Sequence, residues 1–271
     1  MGGDNPEDAA LTSLVEETYH SLILASTSHD VKVVTKRSKD RGNPRTAIRW
    51  QAEVDALKVV GRHKHITRLI SCDKDDLTIT LRFEPGRSLD KHVDARMMCL
   101  LSRQDALTLL QQMTEALAHI HARHIVHDDL KPENIMWSDG DKAAVLIDFG
   151  AVYHQQIVGH DYFTMSGTPA YVPPEFLQRH KGPEADVWAL GVTILFALKY
   201  IALPDGDWML PGCFEDTEYY EDGRHFQALN DWHEHIKDVR RNIRTEDAFV
   251  INMLDPDMKQ RMSRFRLVFP T

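Results

Sequence analysis

The chain is short of cysteine, of positive charge and of long apolar runs. Its three cysteines, Cys72, Cys99 and Cys213, form no C-x-x-C pair among the 271 residues, which indicates neither a disulfide framework nor a zinc site. A reducing location, cytoplasmic or nuclear, is therefore predicted. Because the formal net charge is −9, binding of nucleic acid through a general basic field is not expected.

A membrane-spanning segment is also missing. The most apolar stretch, residues 187–203, is interrupted by Gly191 and Lys199 and falls short of the roughly 20 apolar residues that a span requires. A helix that is apolar on all sides is typical of the buried centre of a domain. The sequence therefore predicts a buried helix here and no membrane span.

Two regions of different periodicity follow one another along the chain. Before about residue 90, runs such as "VKVVTK" and "LTITLRF" predict strands, because they are β-branched or alternate in polarity. One helix interrupts them, with Asn43 as N-cap, Pro44 at its first position and Gly61 at its end. After "EPGRSL" the pattern becomes helical, and Ser102 is predicted to cap the next helix. The fold class is α+β, with a small β-rich lobe over residues 1–84 and a larger helical lobe over residues 85–271.

The segment "HDDLKPEN" (127–134), followed fourteen residues later by "DFG" (148–150), carries the chemistry. Phosphoryl transfer from a nucleotide needs a metal held by oxygen ligands, positive charge near the phosphates and a carboxylate that orients the acceptor hydroxyl. These two segments supply all three at close spacing. They resemble the H-R-D-L-x-x-x-N and D-F-G motifs of the eukaryotic Ser/Thr protein kinases.

The resemblance implies roles for the charged residues of both segments. Asp129 corresponds to the catalytic base, and Lys131 to the lysine that approaches the transferring phosphate. Asn134 and Asp148 correspond to the Mg²⁺ ligands. ATP and Mg²⁺ are therefore the expected cofactors, and a protein is the expected substrate.

The resemblance continues upstream, in the β-rich region. Lys36 corresponds to the strand lysine that holds the α- and β-phosphates, and Glu53 to its partner on the helix. In "LTITLRFEPGRSL", Leu81 takes the gatekeeper position. The backbone from Arg82 to Glu84 is expected to face the adenine.

Downstream, "GTPAYVPPE" (167–175) and "DVWALG" (186–191) resemble the substrate-binding segment and the start of the family's buried helix. The resemblance implies that Thr168 braces the base and that Asp186 anchors the catalytic loop. It also implies a structural ion pair between Glu175 and Arg261.

The nucleotide-covering loop departs from the family pattern. The G-x-G-x-x-G motif falls on "VEETYH", residues 15–20, which contains no glycine. Val15 and Tyr19 remain the expected contacts to the nucleotide. Since glycine lets backbone N–H groups approach phosphates closely, and since Glu17 adds repulsion, weak ATP binding is predicted.

Asp128 is the second departure, because the family usually has Arg there to receive an activation-loop phosphate. The segment from Ala151 to Val172 offers no Lys or Arg that would complete such a pocket. Activity is therefore expected not to depend on phosphorylation of this segment, which packing of "YFTM" would hold instead. Asp128 is expected to accept hydrogen bonds from nearby backbone N–H groups.

The favoured interpretation is a Ser/Thr protein kinase. A pseudokinase scaffold with weak or no turnover is one alternative, because of the missing glycines, and a small-molecule phosphotransferase is another. A basic protein substrate is predicted from seven acids between Leu203 and Gly223, a stretch without Lys or Arg. They are Asp205, Asp207, Glu215, Asp216, Glu218, Glu221 and Asp222.

Overall fold

The computed structural model describes residues 13–18, 20–28, 31–159, 162–206, 208–214 and 223–262. The first region is an antiparallel sheet whose strands are β1 (Ser13–Glu17), β2 (Ser21–Ser28), β3 (Val31–Ser38), β4 (Leu69–Asp73) and β5 (Thr78–Arg82). Their order across the sheet is β1-β2-β3-β5-β4. The central strand β3 is therefore bonded on both sides, and Lys36 pairs in register with Ile23 and Ile79.

One helix, α1 (Pro44–Val60), packs on this sheet. Its predicted N-cap is confirmed, because the Asn43 side chain accepts a hydrogen bond from the Arg45 N–H, and Gly61 ends the helix. The Trp50 indole donates to the Thr78 carbonyl at 3.1 Å. This bond and the buried apolar face of α1 fix the rotation of the helix, which turns Glu53 toward the sheet.

The second region is mostly helical. Its elements are β6 (Arg87–Ser88), α2 (Arg103–His121), β7 (Ile125–Val126), β8 (Ile135–Ser138), β9 (Ala143–Leu146), β10 (Tyr153–His154), α3 (Gln155–Val158), α4 (Pro183–Ala197), α5 (Arg224–Arg241) and α6 (Ala248–Met253). Ser102 caps α2 by accepting from the Asp105 N–H, as predicted. The fold is α+β, with the sheet first and the helices after it.

The predicted all-apolar helix is α4, and residues 185–197 of it are buried. Among the described residues, no helix combines the length and apolar character that crossing a bilayer would require.

The two regions are joined by backbone hydrogen bonds, and the chain that connects them passes close to β8. The Thr67 N–H donates to the Leu146 carbonyl, and the Leu146 N–H donates to the His65 carbonyl, both at 2.9 Å. A Cβ at Gly86, whose φ is +98°, would lie 2.1 Å from the Trp137 carbonyl oxygen. Glycine is therefore needed where the chain leaves β5 and passes over β8.

Candidate active site

A lysine between two carboxylates lies where the sheet, α1 and the segment after β9 meet. Lys36 Nζ donates to both Glu53 oxygens at 2.9 Å and to Asp148 Oδ1 at 2.6 Å. The three residues come from three distant parts of the sequence. The lysine–glutamate pairing expected from the sequence is thus present in the geometry, with Asp148 added to it.

The charges of this centre reinforce one another. Burial alone would lower the pKa of Lys36, but Glu53 and Asp148 outweigh it and hold that pKa above its ordinary value. Burial raises the pKa of Glu53, against the opposing pull of Lys36. Burial would also raise the pKa of Asp148, yet the Lys36 charge lowers it to about 2. At neutral pH the centre therefore holds a lysinium ion and an ionised Asp148.

Gly150 allows this centre to close. A Cβ there would lie 3.1 Å from both Asp148 Oδ1 and Lys36 Nζ, and the Gly150 N–H donates to Asp148 Oδ1 at 3.1 Å. A larger residue would crowd the lysine–aspartate contact. The glycine of "DFG" is thus required by packing at this position.

The catalytic loop carries a second cluster around Asp129. Thr168 donates to Asp129 Oδ1 at 2.7 Å, and the Asn134 amide donates to Asp129 Oδ2 at 3.2 Å. Lys131 Nζ lies 3.2 Å from Asp129 Oδ2 and 2.7 Å from Thr168 Oγ1. Three side chains from two segments of the chain, Asn134 and Lys131 from one and Thr168 from the other, therefore orient the Asp129 carboxylate.

The oxygens of Asn134 and Asp148 suit a hard cation such as Mg²⁺. The Asn134 Nδ2 donates to the Asp129 carbonyl at 2.7 Å. Among the described residues, the Asn134 amide oxygen is left without a hydrogen-bond partner, so it can face a metal ion. Asp148 Oδ1 faces Lys36, while its side chain remains 44% exposed. Because Mg²⁺ usually takes one or two protein oxygens together with water and substrate phosphates, the donor set fits. No group of three or more His, Cys, Asp or Glu arranged for a metal occurs in the described part of the chain.

The segment after β5 contains the residues expected near the adenine. Leu81 is buried on β5. Arg82 and Glu84 bind each other through two hydrogen bonds of 2.9 Å, so their side chains are occupied. Within the described residues, the Glu84 backbone N–H donates to no protein acceptor, which leaves it available to a ligand.

In the glycine-free region, β1 continues through Glu17 and pairs antiparallel with β2, which begins at Ser21. Val15 lies on β1 with 59% of its surface exposed. Tyr19 lies outside the described residues. Glu17 Oε1 lies 2.6 Å from Lys39 Nζ, so its charge, which was expected to repel a nucleotide, has a cation beside it.

Asp128 has different partners from those expected. Its φ is +66°, and its own N–H donates to Asp186 Oδ1 at 2.9 Å. Its carboxylate binds side chains instead of backbone N–H groups: Lys181 Nζ at 2.7 Å and Ser166 Oγ at 2.5 Å. The Asp128 and Lys181 side chains are each 2% exposed. Burial raises the pKa of Asp128 to about 6 and lowers that of Lys181, and their mutual attraction opposes both shifts.

Lys181 was missed by reasoning from the sequence. It lies beyond residues 151–172, where a cation for the activation segment was sought, and 53 residues after Asp128. The available signal was indirect, since an Asp between two apolar stretches needs a counter-charge when it is buried. Lys181 Nζ also donates to the Ser166 carbonyl at 2.7 Å. One ammonium group thereby joins the catalytic loop to the activation segment.

One hydrogen bond and one ion pair match the arrangement implied by the resemblance. Asp186 Oδ2 accepts from the His127 N–H at 2.9 Å, so α4 holds the start of the catalytic loop. Arg261 binds Glu175 through two hydrogen bonds of 2.7 and 2.9 Å, and the arginine is fully buried. The expected packing of the activation segment is also present, since the Phe163 and Phe176 ring centroids lie 5.2 Å apart.

Comparisons with known proteins agree with this geometry. The family model described as "Protein kinase domain" matches residues 22–268. Maternal embryonic leucine zipper kinase of Xenopus laevis is 34% identical over 183 residues, which cover 65% of this chain and 27% of that protein. Serine/threonine-protein kinase ULK3 of Homo sapiens is 31% identical over 172 residues, covering 62% and 35%. SNF1-related protein kinase catalytic subunit alpha KIN12 of Arabidopsis thaliana is 33% identical over 197 residues, covering 70% and 38%.

The chain thus spans less than two fifths of the length of each of these relatives. The family model, in contrast, covers almost the whole chain. On that match, the protein belongs to the eukaryotic-type Ser/Thr protein kinase family.

Proposed function

We propose that this domain transfers the γ-phosphoryl group of ATP to Ser or Thr hydroxyls of proteins, with Mg²⁺, and without phosphorylation of its own activation segment. The observation that carries the proposal is the assembled centre of Lys36, Glu53 and Asp148. An ion pair between the strand lysine and the helix glutamate, together with the "DFG" aspartate in place, is what catalysis in this family requires. Here both contacts form within the chain itself.

The proposed lobes are residues 1–84 and 85–271, with the adenine between them. Leu81 would line the inner end of the nucleotide pocket, and the backbone from Arg82 to Glu84 would hold the base. Val15 and Tyr19 are proposed to lie over the phosphates. The proposed location is cytoplasmic or nuclear, on the grounds of cysteine use alone.

In the proposed reaction, Lys36 positions the α- and β-phosphates, and Glu53 keeps the lysine extended. Asp129 orients the acceptor hydroxyl and takes its proton as the oxygen attacks the γ-phosphorus and the bond to ADP breaks. Lys131 lies beside Asp129 and would offset charge on the transferring group. Asn134 and Asp148 would hold Mg²⁺, which, when bound, neutralises charge on the phosphate oxygens.

Independence from activation-segment phosphorylation is supported by the buried contact between Asp128 and Lys181. In the family, a loop phosphate supplies the anion that meets an arginine at the position of Asp128. In this chain the two signs are exchanged, and both partners are already present as side chains. A phosphate added to Ser166 would meet the Asp128 carboxylate and be repelled.

A basic protein substrate is part of the proposal. Of the seven acids in the stretch that motivated it, Asp205 lies in the described part of the chain, and the other six lie outside it. Glu133 lies in the catalytic loop itself, residues 127–134. It is exposed and adds negative charge near Lys131. Such a field would favour basic flanking residues.

The activity is tested by comparing wild type with Asp129→Asn in a phosphate-transfer assay over varied protein substrates and metals. Loss of transfer by about 10²-fold or more, with an unchanged melting temperature, is expected, because positioned general bases contribute at least that much. Transfer by the variant at close to the wild-type rate would remove Asp129 from its role.

A pseudokinase scaffold is the second candidate, and the glycine-free hairpin of β1 and β2 favours it. No transfer by wild type with any substrate or metal would support this alternative. For the activation segment, phosphatase-treated wild type and a Thr164→Ala variant should both keep their rates. Ser166 is left unchanged, because its hydroxyl donates to the buried Asp128 carboxylate at 2.5 Å. A large loss in both would contradict the proposed independence.

A further inference from the structure

An open cavity of about 230 Å³ that is lined by Arg, Lys and His side chains lies outside the catalytic cluster. Its lining residues come from the segment between α1 and β4 and from the end of β5. They are Arg62, His63, Lys64, Arg68 and Arg82. No acidic residue is part of the lining, in a chain whose net charge is −9. Such a concentration of one sign costs free energy unless an anion offsets it.

Two of these cations have no counter-charge among the residues that the structure describes. Lys64 pairs with Glu115 at 2.8 Å, and Arg82 gives its Nε and one Nη to Glu84. For Arg62 and Arg68, in contrast, the described residues provide no ion pair or side-chain hydrogen bond. Their guanidinium groups therefore keep all of their donors for a ligand.

The backbone around the cavity is fixed. The Arg82 N–H donates to the Arg68 carbonyl at 2.9 Å, which ties the two arginines to neighbouring strands. The preceding loop is tied to β9 by the backbone bonds of His65 and Thr67, and the His65 ring bonds the Ala144 carbonyl at 2.9 Å. The arginines thus extend from an ordered frame, which reduces the entropy lost when they bind a ligand.

His63 supplies a neutral donor at the same cavity. Its Nδ1 accepts from the His65 N–H at 3.3 Å, so in the neutral ring the proton is on Nε2. Burial lowers the pKa of His63 to about 4, and the nearby His119 and His65 contribute to the shift. At pH 7 the ring is therefore an uncharged N–H donor in the lining of the cavity.

We propose that this cavity binds a phosphate group, carried either by a phosphorylated Ser or Thr of a protein or by a free polyphosphate. Guanidinium groups match the oxygens of a phosphate through paired N–H donors, and a doubly charged anion would offset Arg62 and Arg68 together. A carboxylate carries half that charge and fewer acceptor oxygens. Arg82 is common to both sites, since its backbone is proposed to face the adenine while it also lines this cavity. Binding at the cavity does not depend on catalysis.

The test is a calorimetric titration of the protein, saturated with a non-hydrolysable ATP analogue, with pyrophosphate, with a phosphoserine peptide and with the same peptide unphosphorylated. At least one of the two phosphate-bearing probes should bind. The Arg62→Glu, Arg68→Glu variant should weaken that binding at least tenfold. Arg45→Glu is the matched control, since Arg45 is also exposed on the α1 side but does not line the cavity, and its effect should stay below twofold.

The pattern of binding identifies the source of the phosphate. Binding of the phosphopeptide but not of pyrophosphate indicates a phosphoprotein, and the reverse indicates a free polyphosphate. The proposal is overturned if neither probe binds, or if Arg45→Glu weakens binding as much as the double variant. The latter would show a general field instead of a site.

A second measurement uses wild type alone and does not depend on how the variant folds. An anion bound beside His63 favours its protonated form. The NMR signals of the His63 ring should therefore titrate at higher pH with the phosphate probe than without it. A His63 titration that does not move at saturating probe would contradict the proposal.

Discussion

The protein contains two lysine–carboxylate centres that differ mainly in their access to water. At Lys36 the lysine meets Glu53 and Asp148, and the Asp148 side chain is 44% exposed. At Lys181 the lysine meets Asp128, and both side chains are 2% exposed. We call them the open centre (Lys36, Glu53, Asp148) and the closed centre (Asp128, Ser166, Lys181).

The difference in exposure separates two uses of the same chemical groups. In the open centre, a lysine held by two carboxylates can still meet phosphates that enter from solvent. In the closed centre, the Lys181 and Asp128 side chains are both 2% exposed, so a ligand from solvent does not reach them. The first arrangement suits binding, and the second fixes one chain segment against another.

Changing the open centre should have the largest effect on activity. Lys36→Met removes the cation expected to hold the phosphates, and kcat/KM should fall by about 10²-fold or more, as for other positioned charges. Lys32→Met is the control, because Lys32 lies on the same strand, is exposed and contacts the Phe83 ring. A steady-state assay of both variants measures this. Equal losses in the two would remove the special role of Lys36.

Changing the closed centre should affect stability most. Lys181→Met leaves Asp128 buried without a counter-charge, and breaking a buried pair in this way costs about 3–5 kcal/mol. Urea denaturation measures the free energy of unfolding. An Asp128→Asn, Lys181→Met variant should recover most of the loss, because no unpaired charge remains.

The control for that prediction is Lys142→Met, which breaks the exposed ion pair with Asp105. Exposed pairs contribute about 1 kcal/mol or less. If Lys181→Met were no more destabilising than Lys142→Met, the closed centre would not hold the segment.

The two centres should also differ in their response to pH. With a pKa of about 6, Asp128 is about nine-tenths protonated at pH 5, and transfer should fall about tenfold from pH 7 if its charge is required. Because the folded-state pKa is raised, the contribution of Asp128 to stability is lost as pH rises through 6, not as it falls. The rate should therefore drop before the fold does. Rate and melting temperature measured from pH 5 to 8 test this, and Asp128→Asn should lack the inflection near pH 6.

The smallest effect is expected at the hairpin beside the open centre. Glu17→Gly should strengthen ATP binding by about 1 kcal/mol, roughly fivefold, through greater backbone freedom and less repulsion. The contact with Lys39 makes the repulsive part smaller than the sequence suggested. Glu16→Gly is the matched control, because its position is not a glycine in the family motif. Calorimetry that shows equal or weaker binding in Glu17→Gly would contradict this account.

The open centre could be located from the sequence, and the closed centre could not. The resemblance to the family's motifs indicated Lys36 and Asp148, and the caps of α1 placed Glu53 on a helix. These signals are local or match a motif. The partner of Asp128 depends on how the chain returns after the activation segment, and no spacing rule encodes that return. The expectation that Asp128 accepts from backbone N–H groups was wrong for this reason.

The cavity at Arg68 and Arg82 was missed for the same reason. Four of its lining residues lie within residues 62–68, but Arg82 joins them because β4 and β5 are neighbours in the sheet. The net charge of the whole chain is −9, so it gave no indication of a local basic site.

The closed centre also constrains how this sequence could have arisen and how it can change. Replacing Asp128 by the family's Arg would bury two cations against each other, and replacing Lys181 first would leave an unpaired anion. Substituting either Asp128 or Lys181 alone is unfavourable while the other residue is present, although the Asp128–Lys181 pair itself is accommodated. Substitutions at these two positions are therefore contingent on each other, and a lineage that has acquired both is unlikely to revert through either one alone.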